Sequence, residues 1–419
     1  MPSEVSPAMR LENALWGLFI ADALAMPVHW YYNLDTLKRD YPSGIKGYGA
    51  ARHPHPEAFM TGRPYKPDVV SAKRLGRPFD ILHEHARFYT TTYTTFAIDR
   101  SERDEETGNA LPGLDERYHY HHGLKAGENT VGAHLARVLM RSVIDHGRYD
   151  PERFIEGFIE HMTTPGKNRD AYLEAYIRYW FENYSKGAAP SACAAFQRDD
   201  WSIGGHGAMP RPMILSTLAP STYQGIGLAI EHLSLTQRSE NVASALAPVI
   251  PALHRLIQGA APRTIWLSLA ESLRLPKVGG RELFEHYSRA DGPYNIPKDE
   301  MWRLHTDLET APFDVERLVR ECSDDDIIGG RLSTACYPEH GLPLMIYLTL
   351  RHDFDFEATL LANANAGGDN VHRGMVLGML MGAMVDHLPD RLKTGLLDHD
   401  DLKREIKSFA DIALSGTAT

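Results

Sequence analysis

The chain has 419 residues, with 44 basic against 55 acidic side chains and a formal net charge of −11. Hydrophobic residues make up 43% and charged ones 24%, which excludes a disordered tail, a collagen and a bundle of membrane-spanning helices. The negative balance argues against non-specific nucleic-acid binding, which needs clustered Lys and Arg. Histidine is the unusual count, at 21, and its side chain suits metal ligation and proton transfer near neutral pH.

Met1 to Pro7 hold neither a basic nor an apolar stretch, so no secretory signal is expected. Leu11, Leu15, Leu18 and Phe19 share one helical face, and that helix should stop before Pro27. Residues 40–125 read as a loop-rich insertion, with His53-Pro-His-Pro56, Arg63-Pro-Tyr-Lys-Pro67 and a charged run over 99–106. So long a stretch without its own elements is usually functional, and a lid over a site is expected; the plainer expectation is a solvated aromatic loop. Tyr118-His-Tyr-His-His122 closes it and holds much of the histidine excess. Helical spacing resumes at Val131, Leu135, Val138 and Leu139, then at Phe154, Phe158 and Ile159, then at Tyr172, Tyr176, Tyr179 and Trp180. It continues at Ile226, Ala229, Ile230 and Leu233, at Val242, Leu246, Val249 and Leu253, at Leu342 to Leu348, at Phe356 to Leu361, and after Asp369. Strand signals are few, and the pattern predicts an all-α fold in one compact domain over residues 1–419. The apolar runs at 16–26, broken by Asp22, and at 375–385 are too short to span a bilayer, so no membrane is expected. Cys193, Cys322 and Cys336 are odd in number and far apart, which fits no disulfide framework or Cys-based zinc site and points to a reducing, cytoplasmic setting.

Four segments can carry chemistry. In Ala21-Asp-Ala-Leu-Ala-Met-Pro-Val-His-Trp-Tyr-Tyr32, Asp22 sits near the unfavourable end of an apolar helix, so a hydrogen-bond network, cation or ligand must offset its burial. His29 follows with a proton-transfer group, and Trp30, Tyr31 and Tyr32 with flat faces for a ring; the bland reading is an ordinary aromatic core. In Ala126-Gly-Glu-Asn-Thr130, capping by Asn129 or Thr130 with Glu128 at the positive helix end explains the residues without any function. In Ile203-Gly-Gly-His-Gly-Ala-Met-Pro-Arg-Pro212, the glycines Gly204, Gly205 and Gly207 around His206 allow close backbone approach to a ligand, or make a plain turn. In Asn363-Ala-Asn-Ala-Gly-Gly-Asp-Asn-Val-His-Arg-Gly374, Asp369 can cap a helix with Gly374, Gly378 and Gly382 on one face. That stripe predicts very close packing of a central helix.

Taken together and in this order, the segments resemble the ADP-ribosylglycohydrolase family, all-helical hydrolases that include a crystallin. Its opening Gly-Asp-Ala-x-Gly-x-Pro-x-Glu pattern matches Ala21 to His29, its Asp-Asp-Thr pattern Glu128-Asn129-Thr130, its Gly-Asn loop Gly204 to Arg211, and its closing Asn-x-Gly-Gly-Asp-x-Asp-Thr pattern Asn365 to His372. The resemblance implies a single orthogonal helical domain with a central crevice. It also implies two magnesium ions there, held by the Thr-Asp-Asp and Asp-x-Asp-Thr runs. This sequence has Gly127, Glu128 and Asn129 in the first run, Val371 and His372 in the second, and His29 for the opening Glu. Two dications would be under-neutralised, so the dinuclear magnesium centre is expected to be absent. A single ion on Glu128, Asp369 and His372 is the metal-bound alternative.

The function expected is therefore a hydrolase acting on a glycosidic or nucleoside-like small molecule. Glu128, Asp369, His29 and His372 would supply the acid–base chemistry. Asp22, Trp30, Tyr31, His122, Asn129, Thr130, Gly205, His206, Gly368 and Asn370 would line the substrate. The alternatives are a non-catalytic ligand-binding or crystallin-like protein, and an ADP-ribosyl hydrolase with an altered metal site. The substrate's identity and the oligomeric state leave no signature in the chain.

Overall fold

The computed structural model describes residues 5–53, 55, 68–77, 119–164, 166–287 and 298–415. Helices dominate it, and most start where the apolar spacing starts. α1 (Pro7–Ala25) is capped by Ser6 and carries proline at its first turn. There follow α2 (Leu34–Asp40), α3 (Val69–Arg74), α4 (Val131–His146), α5 (Pro151–Thr163), α6 (Ala175–Ser185) and α7 (Pro210–Ser216). Next come α8 (Thr222–Thr236), α9 (Glu240–Ile257), α10 (Pro262–Glu271), α11 (Gly280–Tyr287), α12 (Lys298–Thr306), α13 (Val315–Glu321) and α14 (Asp324–Ile327). The chain ends with α15 (Pro338–Arg351), α16 (Phe356–Asn365), α17 (Asn370–Met384), α18 (Asp390–Thr394) and α19 (His399–Leu414). Two short strand pairs decorate the bundle: Ala195–Phe196 runs parallel to Gln237–Arg238, and Arg274–Pro276 pairs antiparallel with Leu308–Pro312. The domain is all-α, as its sequence pattern predicts.

α17 is the axis. Every residue of it is buried, and it packs on α1, α9, α15 and α16. The glycine stripe explains how. A Cβ on Gly378 would collide with the Gly17 carbonyl, one on Gly382 with the Asn13 carbonyl, and one on Gly374 would crowd the Ala21 carbonyl. The two helices therefore touch backbone to backbone, which side chains would prevent. α1 is long and apolar enough to cross a membrane, contrary to the expectation that its run is too short, but 94% of that window is buried inside the protein. It is the core partner of α17.

Two expectations change. Tyr172 precedes α6, which starts at Ala175, so the aromatic spacing runs across a loop into a helix. The 40–125 stretch contains the short helix α3, capped by Asp68; positions 54, 56–67 and 78–118 lie outside the described residues, and the lid expectation falls on them.

Candidate active site

Three helices start at one place, and none is capped in the ordinary way. Thr130, Glu174 and Asp369 occupy the N-cap positions of α4, α6 and α17, where a side-chain oxygen normally accepts from the first turn. None of these side chains does so. The capping expected of Asp369 and of Asn129 or Thr130 is thus replaced by longer-range contacts. Thr130 Oγ1 donates to Asp22 at 2.6 Å, and the Val131 N–H donates to Asp170 Oδ2 at 2.8 Å. Glu174 and Asp369 both turn to His372, one turn into α17: its Nδ1 lies 2.9 Å from Glu174 Oε1 and 2.6 Å from Asp369 Oδ1. Each carboxylate also sits at the N-terminal end of its helix.

A row of side chains runs on from Asp369. His29 Nε2 is 2.8 Å from Asp369 Oδ1, His29 Nδ1 is 2.5 Å from His121 Nε2, and His121 Nδ1 is 2.8 Å from Asp170 Oδ1. Asp170 also accepts from the Tyr172 N–H at 3.2 Å, and its own N–H donates to Asn168 Oδ1. His206 completes the cluster, with Nδ1 3.7 Å from Asp369 Oδ2. All four imidazoles are buried. Local backbone geometry fixes the row. Trp30 is left-handed at φ 68°, a conformation costing roughly 1–3 kcal/mol in a non-glycine residue. It is held by its N–H to the Gly368 carbonyl at 2.7 Å, and the Gly368 N–H returns to Tyr31 O at 2.8 Å. Gly368 is itself left-handed, and a Cβ there would strike Thr334. Arg373 braces this turn through the Asn363 side chain and the Gly367 and Thr334 carbonyls.

Electrostatics separates the two rings flanking Asp369. Burial holds His29 well below the usual imidazole range, against the Asp369 contact. For His372 burial pulls the same way, but the Asp369 and Glu174 carboxylates outweigh it and hold the ring well above that range. Burial would raise Asp369, yet the His372 charge and the His29 contact keep it well below the usual carboxylate range. His206 is pushed down to about 3 by burial. Five buried atoms of this cluster make no hydrogen bond: Glu174 Oε1, both ring nitrogens of His206, Asp369 Oδ2 and His372 Nδ1. Buried polar atoms are rarely left so.

The sequence-derived set divides. His29, Asp369, His372 and His206 come together. Glu128 does not join them; its Oε2 accepts from the Lys125 N–H at 2.9 Å and its Oε1 lies 3.5 Å from Arg169. Asp22 is consumed by Asn129 Nδ2 and the Thr130 N–H and hydroxyl, and burial raises its pKa against those bonds. Asp22, Asn129 and Thr130 therefore tie α1 to α4. Asn370 binds the Val28 and Ala364 carbonyls. Tyr31 packs on His55 and donates to Asp40. Trp30 packs on Tyr120 and Tyr172. His122 faces His53 at 3.4 Å, and Gly205 abuts Cys336. Asp170, Glu174 and His121 were not among the expected site residues. The tyrosine spacing absorbed 172–180 into a helix, and nothing local marks an acid in the loop before it.

These donors do not suit two magnesium ions. Mg²⁺ demands hard oxygen ligands in octahedral array. Among the described residues, three imidazoles and one further carboxylate, Glu174, stand around Asp369; Val371 is sealed in an apolar cluster, and Glu128 and Asn129 are engaged elsewhere.

The fold is thus a helical bundle with a cluster of histidines and carboxylates at the start of its central helix. The ADP-ribosylglycohydrolase family model matches residues 3–418, and the chain belongs to that family. Among solved structures it is similar to an ADP-ribosylglycohydrolase-related protein complex, at 15% identity and a TM-score of 0.53, over 98% of this chain and 99% of that one. That likeness carries the fold alone. No curated protein matches the chain.

Proposed function

We propose that the protein hydrolyses the glycosidic bond of a ribosyl- or nucleoside-like small molecule at the histidine–carboxylate cluster, without the pair of magnesium ions. The observation that carries this reading is the convergence of Asp369, Glu174, His29, His206 and His372 at the start of α17, several of their atoms lacking hydrogen bonds. A retired crevice would be packed with apolar side chains, so the convergence also weighs against a crystallin-like role. In the reaction a water oxygen bonds to the anomeric carbon and the bond to the leaving group breaks. Glu174 Oε1 takes the proton of the water, Asp369 lies beside the positive charge developing on the sugar, and the protonated His372 ring gives its proton to the leaving group. The His121–Asp170 pair holds the His29 ring in place. The free thiols of Cys193, Cys322 and Cys336 fit a cytoplasmic setting.

The test is release of free sugar from a panel of nucleosides, ribosyl conjugates and ADP-ribosyl compounds. Wild type should turn over at least one of them without added Mg²⁺, and Asp369→Asn should lose activity with an unchanged circular dichroism spectrum. Activity surviving in Asp369→Asn contradicts the mechanism. Mg²⁺-dependent release of ADP-ribose from a modified protein contradicts the substrate class.

A further inference from the structure

We infer that His29 Nε2, Asp369 and His372 Nδ1 form a site for one borderline transition-metal dication of the Zn²⁺ type, standing where the family resemblance implies two magnesium ions. The inference rests on the reading above only in that the magnesium pair is gone; it does not require the glycosidic chemistry.

Geometry comes first. One donor atom from each of the three residues lies within 4.8 Å of the others. The donor-to-donor distances around Asp369 and His372 are 2.6, 2.8 and 2.9 Å, with His206 at 3.7 Å. For metal–ligand bonds of about 2.0–2.1 Å, neighbouring donors lie roughly 3.0–3.4 Å apart, depending on coordination number. The Asp369 Oδ1 contacts to His29 Nε2 and His372 Nδ1, at 2.8 and 2.6 Å, are shorter than that edge, so the three donors would draw apart by less than an ångström around the ion.

Hydrogen counting comes second. The row Asp170–His121–His29–Asp369 has three short contacts, and with one N–H on each ring only two of them can be hydrogen bonds. If His121 donates to Asp170 and His29 donates to His121, His29 Nε2 points a lone pair at an anionic carboxylate 2.8 Å away. A cation between them resolves that contact. The same ion accounts for His372 Nδ1, which has two carboxylate oxygens within 3 Å and a hydrogen-bonding geometry to neither.

Charge comes third. Asp170, Glu174 and Asp369 are three buried carboxylates, and the Arg373 guanidinium beside Asp369 is one buried cation. Once the ion displaces the proton of His372, one dication balances the three carboxylates and the guanidinium. Two nitrogens and a carboxylate suit Zn²⁺ and its neighbours, not Mg²⁺. The His121–Asp170 pair is then the outer support that orients a ligating histidine. Glu128, the third ligand in the sequence-derived alternative, is replaced by His29.

The experiment uses the full chain, stripped of metal and then dialysed against Zn²⁺, Co²⁺ or Mg²⁺. Bound metal is read by elemental analysis, and the Co²⁺ form by its visible absorption. One Zn²⁺ or Co²⁺ per chain is expected, with none retained by His29→Ala or His372→Ala. Glu128→Gln should keep the ion, and Asp170→Asn should weaken it about ten- to hundredfold. If a ligand variant misfolds, the wild-type reading still decides: Zn²⁺ should raise the thermal midpoint and Mg²⁺ should not. No retained Zn²⁺, two Mg²⁺ per chain, or unchanged Zn²⁺ affinity in folded His29→Ala and His372→Ala overturns the inference. None of these readings depends on turnover, so an inactive protein that binds one Zn²⁺ sinks only the proposed function.

Discussion

Asp170 is the residue whose removal should be felt furthest. One carboxylate caps α4 at Val131, fixes the Tyr172 backbone and holds the His121 ring. Asp170→Ala leaves those donors buried and unpaired, at roughly 1–3 kcal/mol for each group left unsatisfied. Urea unfolding should show a loss of several kcal/mol; a loss under about 0.5 kcal/mol would place these bonds among the dispensable ones. Gly207 makes the opposite case. A Cβ there would overlap Glu174 Oε1, so Gly207→Ala should displace the proposed base and cut turnover while leaving the fold intact. Wild-type turnover in that variant would remove Glu174 from the reaction.

At the level of elements, the α1–α17 contact shows what glycine contributes. Gly378→Ala forces a methyl into the Gly17 carbonyl and should cost about 3 kcal/mol or more, read from the denaturation midpoint. Gly227 provides the contrast: it is exposed within α8, and a Cβ there meets nothing within 4 Å. Gly227→Ala should stabilise by about 0.5–1 kcal/mol. Equal effects at the two positions would refute the packing account. The stripe 374–378–382 was legible in the sequence because its spacing of four matches a helix face. So were α1, α4, α5, α8 and α9, whose apolar residues recur at helical spacing. Asp170 and Glu174 were not legible: they stand in a loop whose tyrosines imitate a helix, and only the fold brings that loop to α17. Glu128 was misplaced for a related reason. Sequence order set it beside the α4 start, but its carboxylate turns to Lys125 and Arg169.

Across the whole molecule, the histidine count acquires a physical meaning. Burial pushes His161 and His340 down to about 3 and His134 down to about 4, from an ordinary value of 6.5. A histidine depressed in the fold binds its proton only when the chain unfolds. Its contribution is present above pH 6.5 and is lost as pH falls toward the folded value, at up to about 1.4 kcal/mol per pH unit for each ring. The protein should therefore begin losing stability just below pH 6.5. Thermal midpoints that stay flat from pH 7 to 5 would refute this. The central claim is that the family's crevice works here through a histidine–carboxylate cluster and not through two magnesium ions. Its most direct measurement is hydrolysis of the ribosyl panel by wild type and Asp369→Asn, each with and without Mg²⁺. The predicted result is turnover that is indifferent to Mg²⁺ and absent in Asp369→Asn; turnover that requires Mg²⁺, or persists in the variant, would contradict it.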